Sequence, residues 1–310
     1  MTDNDEYTIL TTTADITSYT NDPRVASVVI HNNRVLSDHS VEGLEVTEKE
    51  TVDGVDITIR LKEGVVINKP VHLCFGVLHG MELQKINMDV HLEKHSSMKV
   101  YGHCILTSNN PVKHVMDAKI TLEDDSQFSY FERHTHNDKG TTEVYTKSIV
   151  EVGTNARYRT EFELLKGRVG RMNIDIECYG EKNSVSEMIT RVNARGDDIL
   201  TVKEVSYLNG EYAKSALRSK VAVREHAKAE VYNKIIATHA HAKGHVDCTE
   251  VLKDNGVVSA YPEVEVKHPK ARVTHEAKLG GVDNKQLETL MSKGLSEEEA
   301  EEIIIDGLLS

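Results

Sequence analysis

From about residue 50 to 280 the chain alternates apolar and polar residues in short runs with polar punctuation between them, the period of half-buried β-strands. A unit of strand, two to four polar residues and strand recurs. Met88-Asp89-Val90-His91-Leu92 precedes Ser97-Met98-Lys99-Val100-Tyr101, Ile120-Thr121-Leu122 precedes Phe128-Ser129-Tyr130-Phe131, and Ile149-Val150-Glu151-Val152 precedes Ala156-Arg157-Tyr158-Arg159. Leu92, Leu122 and Val152 fall 30 residues apart, a spacing suited to stacked rungs of a β-solenoid. A second pair of copies, from Val221 to Ala229 and from Val264 to Arg272, is offset by 43 residues and reads as two rungs of about 21 residues each. An antiparallel sandwich, whose hairpins give similar alternation, is the competing architecture. Only 5 prolines interrupt the chain, as continuous backbone ladders require.

From Asp283 the period changes to a helical one. Asp283 is placed to cap a helix through Gln286-Leu287-Glu288-Thr289-Leu290-Met291, with Gly294 ending it. Ser296 and Glu299 form a capping box for a second helix that carries Ala300, Ile303, Ile304, Gly307 and Leu308 on one face. These helices can cap the open end of a solenoid or dock a partner. Three regions result: an N-terminal segment (1–45), a β core (46–282) and C-terminal helices (283–310).

Composition narrows the function by exclusion. With 37 basic and 50 acidic residues, a net charge of −13 and the acids spread along the chain, strong binding to nucleic acid or to anionic membranes is not expected. The N-terminus lacks a basic n-region and an apolar h-region, and no apolar run approaches the length of a membrane span, so a soluble cytoplasmic protein is expected. The 4 cysteines, Cys74, Cys104, Cys178 and Cys248, form no CxxC pair, which argues against a disulfide framework or a cysteine-only zinc site. No GxxxxGK[ST] motif is present, so the chain is not expected to hydrolyse ATP, and it reads as a non-enzyme.

The candidate chemistry lies near the C-terminus, where Cys248 and the pair His275-Glu276 flank a stretch containing Pro262. One thiol, one imidazole and one carboxylate, if the chain turns back to bring them together, make a credible iron-sulfur site. On base rates a strand cysteine is more often a small buried hydrophobe than a ligand. Adjacent residues on a strand also point to opposite faces, so only one of His275 and Glu276 can point directly at a shared centre.

The run Tyr261-Pro262-Glu263-Val264-Glu265-Val266-Lys267, followed by Val273-Thr274-His275-Glu276-Ala277, resembles the P-x-(I/V)-E-V-K and V-x-H-E-A motifs of the SufB/SufD family of iron-sulfur cluster assembly proteins. Lys293-Gly294-Leu295-Ser296-Glu297-Glu298-Glu299-Ala300, Ile305-Asp306-Gly307-Leu308 and, earlier, Pro70-Val71-His72-Leu73 resemble further family patterns. The similarity is strong over roughly 244–309 and recognisable from about 65. It implies a right-handed parallel β-helix with terminal helices, dimerisation through the core as a homodimer or a SufB/SufD-type heterodimer, and a SufC-type ABC ATPase as partner. Glu276, where SufD-type members usually have glycine, resembles the SufB scaffold glutamate.

The resemblance thus implies a scaffold for a transient iron-sulfur cluster with Cys248 and Glu276 as principal ligands or sulfur acceptor, His275 assisting, and recipient apoproteins downstream. The alternatives are a structural SufD-like subunit or a β-helix binding protein that holds no cluster. A carbohydrate-active β-helix would need clustered Asp residues, which the sequence does not show. On the helical segment, Leu290, Leu295, Ile303, Ile304 and Leu308 are expected to meet the ATPase.

Two departures from the family pattern stand out. The N-terminal helical region of longer members is not expected here, and the position of their sulfur-accepting cysteine is held by His134. Cys104 or Cys178 could replace that cysteine only by lining the same interior. The pairs His134/His136 and His239/His241 have i, i+2 spacing compatible with zinc or nickel, but without a third ligand in the sequence they are read as solvated strand-surface histidines.

Overall fold

The computed structural model describes residues 1–310. Helices α1 (Asp3–Thr13) and α2 (Thr17–Thr20) precede an irregular start made of β1 (Ser27–His31), β2 (Arg34–His39), β3 (Leu44–Glu50) and β4 (Gly54–Leu61). The regular body begins with β5 (Val71–Val77), β6 (Leu83–Leu92), β7 (Ser97–Leu106), β8 (Val112–Leu122), β9 (Gln127–His136) and β10 (Thr142–Val152). It continues through β11 (Arg157–Lys166), β12 (Arg171–Gly180), β13 (Val185–Ala194), β14 (Ile199–Leu208) and β15 (Lys214–Val223). Strands β16 (Lys228–Ala237), β17 (Lys243–Leu252), β18 (Val257–Val266) and β19 (Arg272–Gly281) complete it, before α3 (Asn284–Met291) and α4 (Glu297–Leu309).

From β5 onward the odd strands form one sheet and the even strands another, so each rung contributes one strand to each. The pairing is parallel except at the start, where β2 runs antiparallel to β1 and β3 to β4. This is the expected β-solenoid, and the antiparallel sandwich is excluded. Leu92 pairs with Leu122 and Leu122 with Val152, so the 30-residue spacing is the rung. The 43-residue offset is not two short rungs. Val221 lies on β15 and pairs with Glu250 of β17, whereas Val264 lies on β18 and pairs with Ile235 of β16. The two copies therefore sit in opposite sheets, about a rung and a half apart.

Strict alternation sends every second side chain inward, where 58 buried residues form one continuous core. Outward residues stack on their copies in the next rung, as Tyr179 on Tyr207 and Tyr232 on Tyr261, each at 4.6 Å between ring centroids. The turns keep the same register. Asp125, Asn155 and Asn183 adopt left-handed backbone geometry, with φ of 61°, 58° and 57°, which Asn and Asp tolerate better than most side chains. Their N–H groups donate at 2.9 Å to the carbonyls of Thr154, Lys182 and Glu211 one rung on, so the ladder runs through the turns.

Residues 1–45 contribute to the solenoid rather than standing apart from it, because β1 pairs in parallel with β5. Two helices also occupy a region where none was expected. A Thr2–Asp5 capping box starts α1, and Leu10 and Ile16 pack with Val29, Cys74 and Ile105 on the outer face of the first sheet.

At the other end both anticipated helices form, with Asp283 Oδ1 accepting from the Gln286 amide at 2.8 Å and Ser296 in its capping box. They do not close the solenoid. Ile305 and Leu309 of α4 pack on Ala222 against the outer face of the first sheet, and Arg224–Glu302 and Lys253–Glu301 ion pairs hold the helix there. The final rung is left uncovered, with Val264, Val266 and Leu279 exposed at 38%, 47% and 54%.

A tight turn constraint against backbone precedes β12. Gly167 has φ +82°, and a Cβ on it would lie 2.1 Å from the His136 carbonyl oxygen. Gly167→Ala should lower stability by about 1–3 kcal/mol, read as a reduced urea midpoint with an unchanged m-value.

Candidate functional site

Cys248 lies on β17 in a fully buried position facing the solenoid interior, one strand from the end of the first sheet. Its register partners are Ser219 of β15 and Ala277 of β19. The same column runs back through Thr190, Phe162 and Glu132, so a file of inward positions that are mostly polar leads along the interior to the thiol.

Around Cys248 this file joins buried groups from the second sheet. Thr190 Oγ1 donates to Glu204 Oε1 at 2.7 Å, and Ser219 Oγ donates to Glu250 Oε1 at 3.3 Å. The Asn233 amide is best satisfied with Nδ2 donating to Glu204 Oε2 and the Tyr232 carbonyl, both at 3.2 Å. Its Oδ1 then faces Ser219 Oγ and Cys248 Sγ, at 3.4 and 3.6 Å. Burial pushes the Cys248 thiol up to about 11, against a hydrogen bond from Ser219 that favours the thiolate and with the Glu250 carboxyl adding to the rise. The thiol is therefore protonated at neutral pH, and an approaching cation would favour its ionisation.

The structure separates His275 from Glu276 and reverses their expected order. His275 is in register with Val246 and Glu276 with Asp247, so His275 occupies the inward face that Cys248 shares, while Glu276 is on the outer face. Glu276 is exposed and pairs with Lys278 at 2.9 Å, which holds its carboxyl below the usual range. From Cys248 to His275 is one strand across and two residues along, about 8 Å between Cα atoms by ordinary strand spacing. The ligand atoms of the three residues do not gather within one chain. Those that do gather are Glu6, His31 and His79 at the N-terminal end, and Cys104, Glu132 and His134 in the interior.

The second of these groups corrects the histidine reading. His134 and His136 are buried on the inward face of β9, so they are not solvated surface residues, and Cys104 and Glu132 stand beside His134. Glu132 was missed although it begins an i, i+2, i+4 run with the two histidines. Cys104 is found by applying the 30-residue period to His134, its register partner. His239 and His241 lie in the turn between β16 and β17, where His239 is exposed and His241 stacks on Tyr212. Cys104 and Cys178 both belong to the same interior core as Cys248, whereas Cys74 packs with α1 on the outer face.

On the helices, Leu290, Ile303, Ile304 and Leu308 line a groove of about 850 Å³ together with Val251 and Val282. Leu295 is half-buried in the turn between the helices and does not line it. The buried face of α4 is instead Ala300, Ile305 and Leu309.

A two-sheet parallel solenoid with an interior thiol beside an uncovered last rung is the class of protein that these features define. Residues 79–308 match the model of the SUF system FeS cluster assembly SufBD core domain. A SufBD family iron-sulfur cluster assembly protein of Methanocaldococcus jannaschii is 36% identical over 282 residues, 91% of this chain and 89% of the relative. One from Pyrococcus horikoshii is 35% identical over 92% of this chain and 87% of its own length, and one from Archaeoglobus fulgidus is 23% identical over 89% and 73%. The chain belongs to the SufBD family of iron-sulfur cluster assembly proteins. None of its helices is long and apolar enough to cross a membrane.

The buried carboxyls make a pH prediction. Burial pushes Glu204 up to about 7, against a hydrogen bond from Thr190 that lowers it. Between the ordinary carboxyl range and about 7 the folded chain holds a proton that the unfolded chain has lost. Stability should therefore fall as pH rises through this window and level off above it. Glu204→Gln keeps an acceptor for Thr190 and should remove this loss, gaining up to about 3 kcal/mol on wild type at pH 8 relative to pH 4. Denaturant unfolding of both proteins at the two pH values measures it.

Proposed function

We propose that this chain is the scaffold subunit of a SUF-type complex, on which a nascent iron-sulfur cluster is built where two subunits meet at the uncovered end of the solenoid. The observation that carries the reading is the position of Cys248, an interior thiol one strand from an open rung, in a member of the SufBD family. Thiolate is the soft ligand or sulfur carrier that the cluster needs, and an imidazole or carboxylate at an iron permits its later release. His275 shares the face of Cys248, and Glu276 stands outward on the edge strand beside it. Because the three do not converge within one chain, assembly draws ligands from both subunits. A homodimer doubles the set, and a SufB/SufD-type heterodimer would present a different partner rung.

The uncovered strands support such pairing. β18 and β19 each present ten residues of unpaired backbone edge together with exposed apolar side chains. A SufC-type ABC ATPase fits the groove between α3 and α4, where Ile303 and Leu308 are apolar and incompletely covered. In this reading the chain is not an enzyme. ATP hydrolysis by the partner shifts the subunits and loosens the cluster for transfer to recipient apoproteins.

The wide separation of the three candidate ligands also favours a second reading, a structural SufD-like subunit that holds no cluster. Anaerobic reconstitution with iron and sulfide separates the two. Wild type should develop a visible cluster spectrum, and Cys248→Ser should lose at least most of it. Retention of the full spectrum in that variant would remove Cys248 from the mechanism. For docking, Ile303→Glu, at a half-exposed position, should abolish copurification of the ATPase while leaving the circular dichroism spectrum unchanged.

A further inference from the structure

Well away from Cys248, four chemistry-bearing side chains meet inside the solenoid, and the proposed cluster site uses none of them. Cys104 of β7 is in register with His134 of β9, Glu132 precedes His134 by two residues on the same face, and His114 enters from β8 in the opposite sheet. Glu132 Oε1 lies 2.7 Å from His134 Nε2 and 3.6 Å from Cys104 Sγ, and His114 Nε2 lies 3.9 Å from the same sulfur. All four are buried.

The surrounding hydrogen bonds fix which ring nitrogens are free. Gln84 Nε2 donates to the carbonyls of Asn32 and Gly76 at 2.8 and 3.2 Å, so its Oε1 faces His114 Nδ1 as an acceptor at 2.9 Å. His114 Nδ1 therefore carries the proton, and Nε2 turns a lone pair inward. On the other side, the Arg168 carbonyl accepts from His136 Nδ1 at 3.2 Å, which leaves His136 Nε2 to accept from His134 Nδ1 at 3.1 Å. His134 Nε2 then also turns a lone pair inward, directly at a carboxylate oxygen. With both rings neutral, two electron-rich atoms confront each other in a buried interior, an arrangement that a cation between them would balance. A proton would relieve that single contact. A metal ion would engage all four groups.

We propose that Cys104, Glu132, His134 and His114 form a resident site for a divalent transition metal of borderline softness, zinc or ferrous iron, inside the solenoid. One thiolate, one carboxylate and two neutral imidazoles around a divalent ion sum to zero charge, which suits a site without solvent. Tetrahedral bonds to zinc put such ligand atoms about 3.3–3.6 Å apart. The sulfur–carboxylate separation already fits, and the carboxylate–imidazole pair must open by about half an ångström. Cys104, Glu132 and His134 already gather within 4.8 Å, whereas His114 must swing in, by a few tenths toward the sulfur and by more than about an ångström toward the rest of the group. Gln84 and His136 hold the distal nitrogens of the two imidazoles, the outer hydrogen bonds that orient histidine ligands. Loading displaces the Cys104 thiol proton and any proton shared by Glu132 and His134 to solvent, with no change in oxidation state. The ligands come from three strands in two sheets, so the metal is taken up as these rungs close. The Glu6–His31–His79 group differs, because Arg34 Nη2 lies 2.6 Å from Glu6 Oε2 and already supplies the cation.

The test uses the full chain, purified without oxygen from media supplemented with iron or with zinc and, separately, loaded with Co²⁺. We expect about one metal ion per chain, its identity set by the medium, and a sulfur-to-cobalt charge-transfer band. Cys104→Ser should abolish the band, and His134→Gln should lower occupancy at least tenfold. Cys248→Ser and Cys74→Ser should leave the cobalt band unchanged, which separates this site from the proposed cluster site. Folded wild type holding less than a tenth of an equivalent of any of the three metals would overturn the proposal, as would a band that survives Cys104→Ser or disappears with Cys248→Ser. If Cys104→Ser fails to fold, Glu132→Gln and the wild-type metal content decide the matter by the same thresholds.

Discussion

Everything in this molecule depends on a parallel backbone ladder that stays in register from rung to rung. Each strand must meet its successor residue for residue, because a slip of one position would turn every inward side chain outward. From β12 on, ten-residue strands repeat at intervals of 28 or 29 residues and satisfy that condition without a bulge. The one irregularity among the body strands is the register shift between Glu163 and Lys166. It falls just before the Gly167 turn, at the edge of the buried histidine group. A side chain's chemistry is thus decided by its column. Cys248 is buried because Ser219 and Thr190 are, and Glu276 is exposed because Asp247 also points outward.

The same constraint explains how polar chemistry is housed in an apolar stack. The columns that contain Glu132, Thr190, Ser219 and Cys248 face columns containing Glu204 and Asn233 across the interior, and the groups bond to one another rather than to water. Buried carboxyls at Glu204 and Glu250 are tolerated because burial holds both near neutral charge, each raised to about 7. In the Cys104 region the imbalance of acceptors is larger, and a proton or, as proposed, a metal ion balances it.

Much of this was legible in the amino-acid pattern. The 30-residue spacing of Leu92, Leu122 and Val152 is the true rung, and both C-terminal helix starts lie where Asp283 and Ser296 predict them. The 43-residue match misled because neighbouring sheets carry similar alternation, so a copy shifted by three strands, a rung and a half, resembles one shifted by two whole rungs. Adjacent His275 and Glu276 had to face opposite ways, but choosing between them required the pairing of β19 with β17. The histidines at 134 and 136 were assigned to the surface because their partners lie 30 and about 20 residues upstream, at Cys104 and His114. Which residues of α4 pack on the sheet was hidden for a similar reason. An isolated helix shows an apolar stripe, but only the position of Ala222 determines that Ile305 and Leu309, rather than Ile303 and Leu308, meet the sheet.

The two ends of the solenoid are treated differently, and this asymmetry bears on function. At the start the ladder is deliberately spoiled: β2 and β3 turn antiparallel, β2 has six residues, the β1–β2 pair carries a register shift, and α1 covers the adjoining sheet face. Short, irregular edges of this kind resist pairing with other chains. At the far end the strands are neither shortened nor turned antiparallel, although Pro262 removes one N–H from the β18 edge. β18 and β19 keep the full ten-residue register of the body, and α4 is tied to the side of β15 by Arg224 and Lys253 rather than laid over the opening. The β19 edge, which continues the internal ladder at full length, is a template for one more rung. Cys248 lies a single strand beneath it, so a partner that pairs there changes the surroundings of the thiol more than those of any other cysteine in the chain.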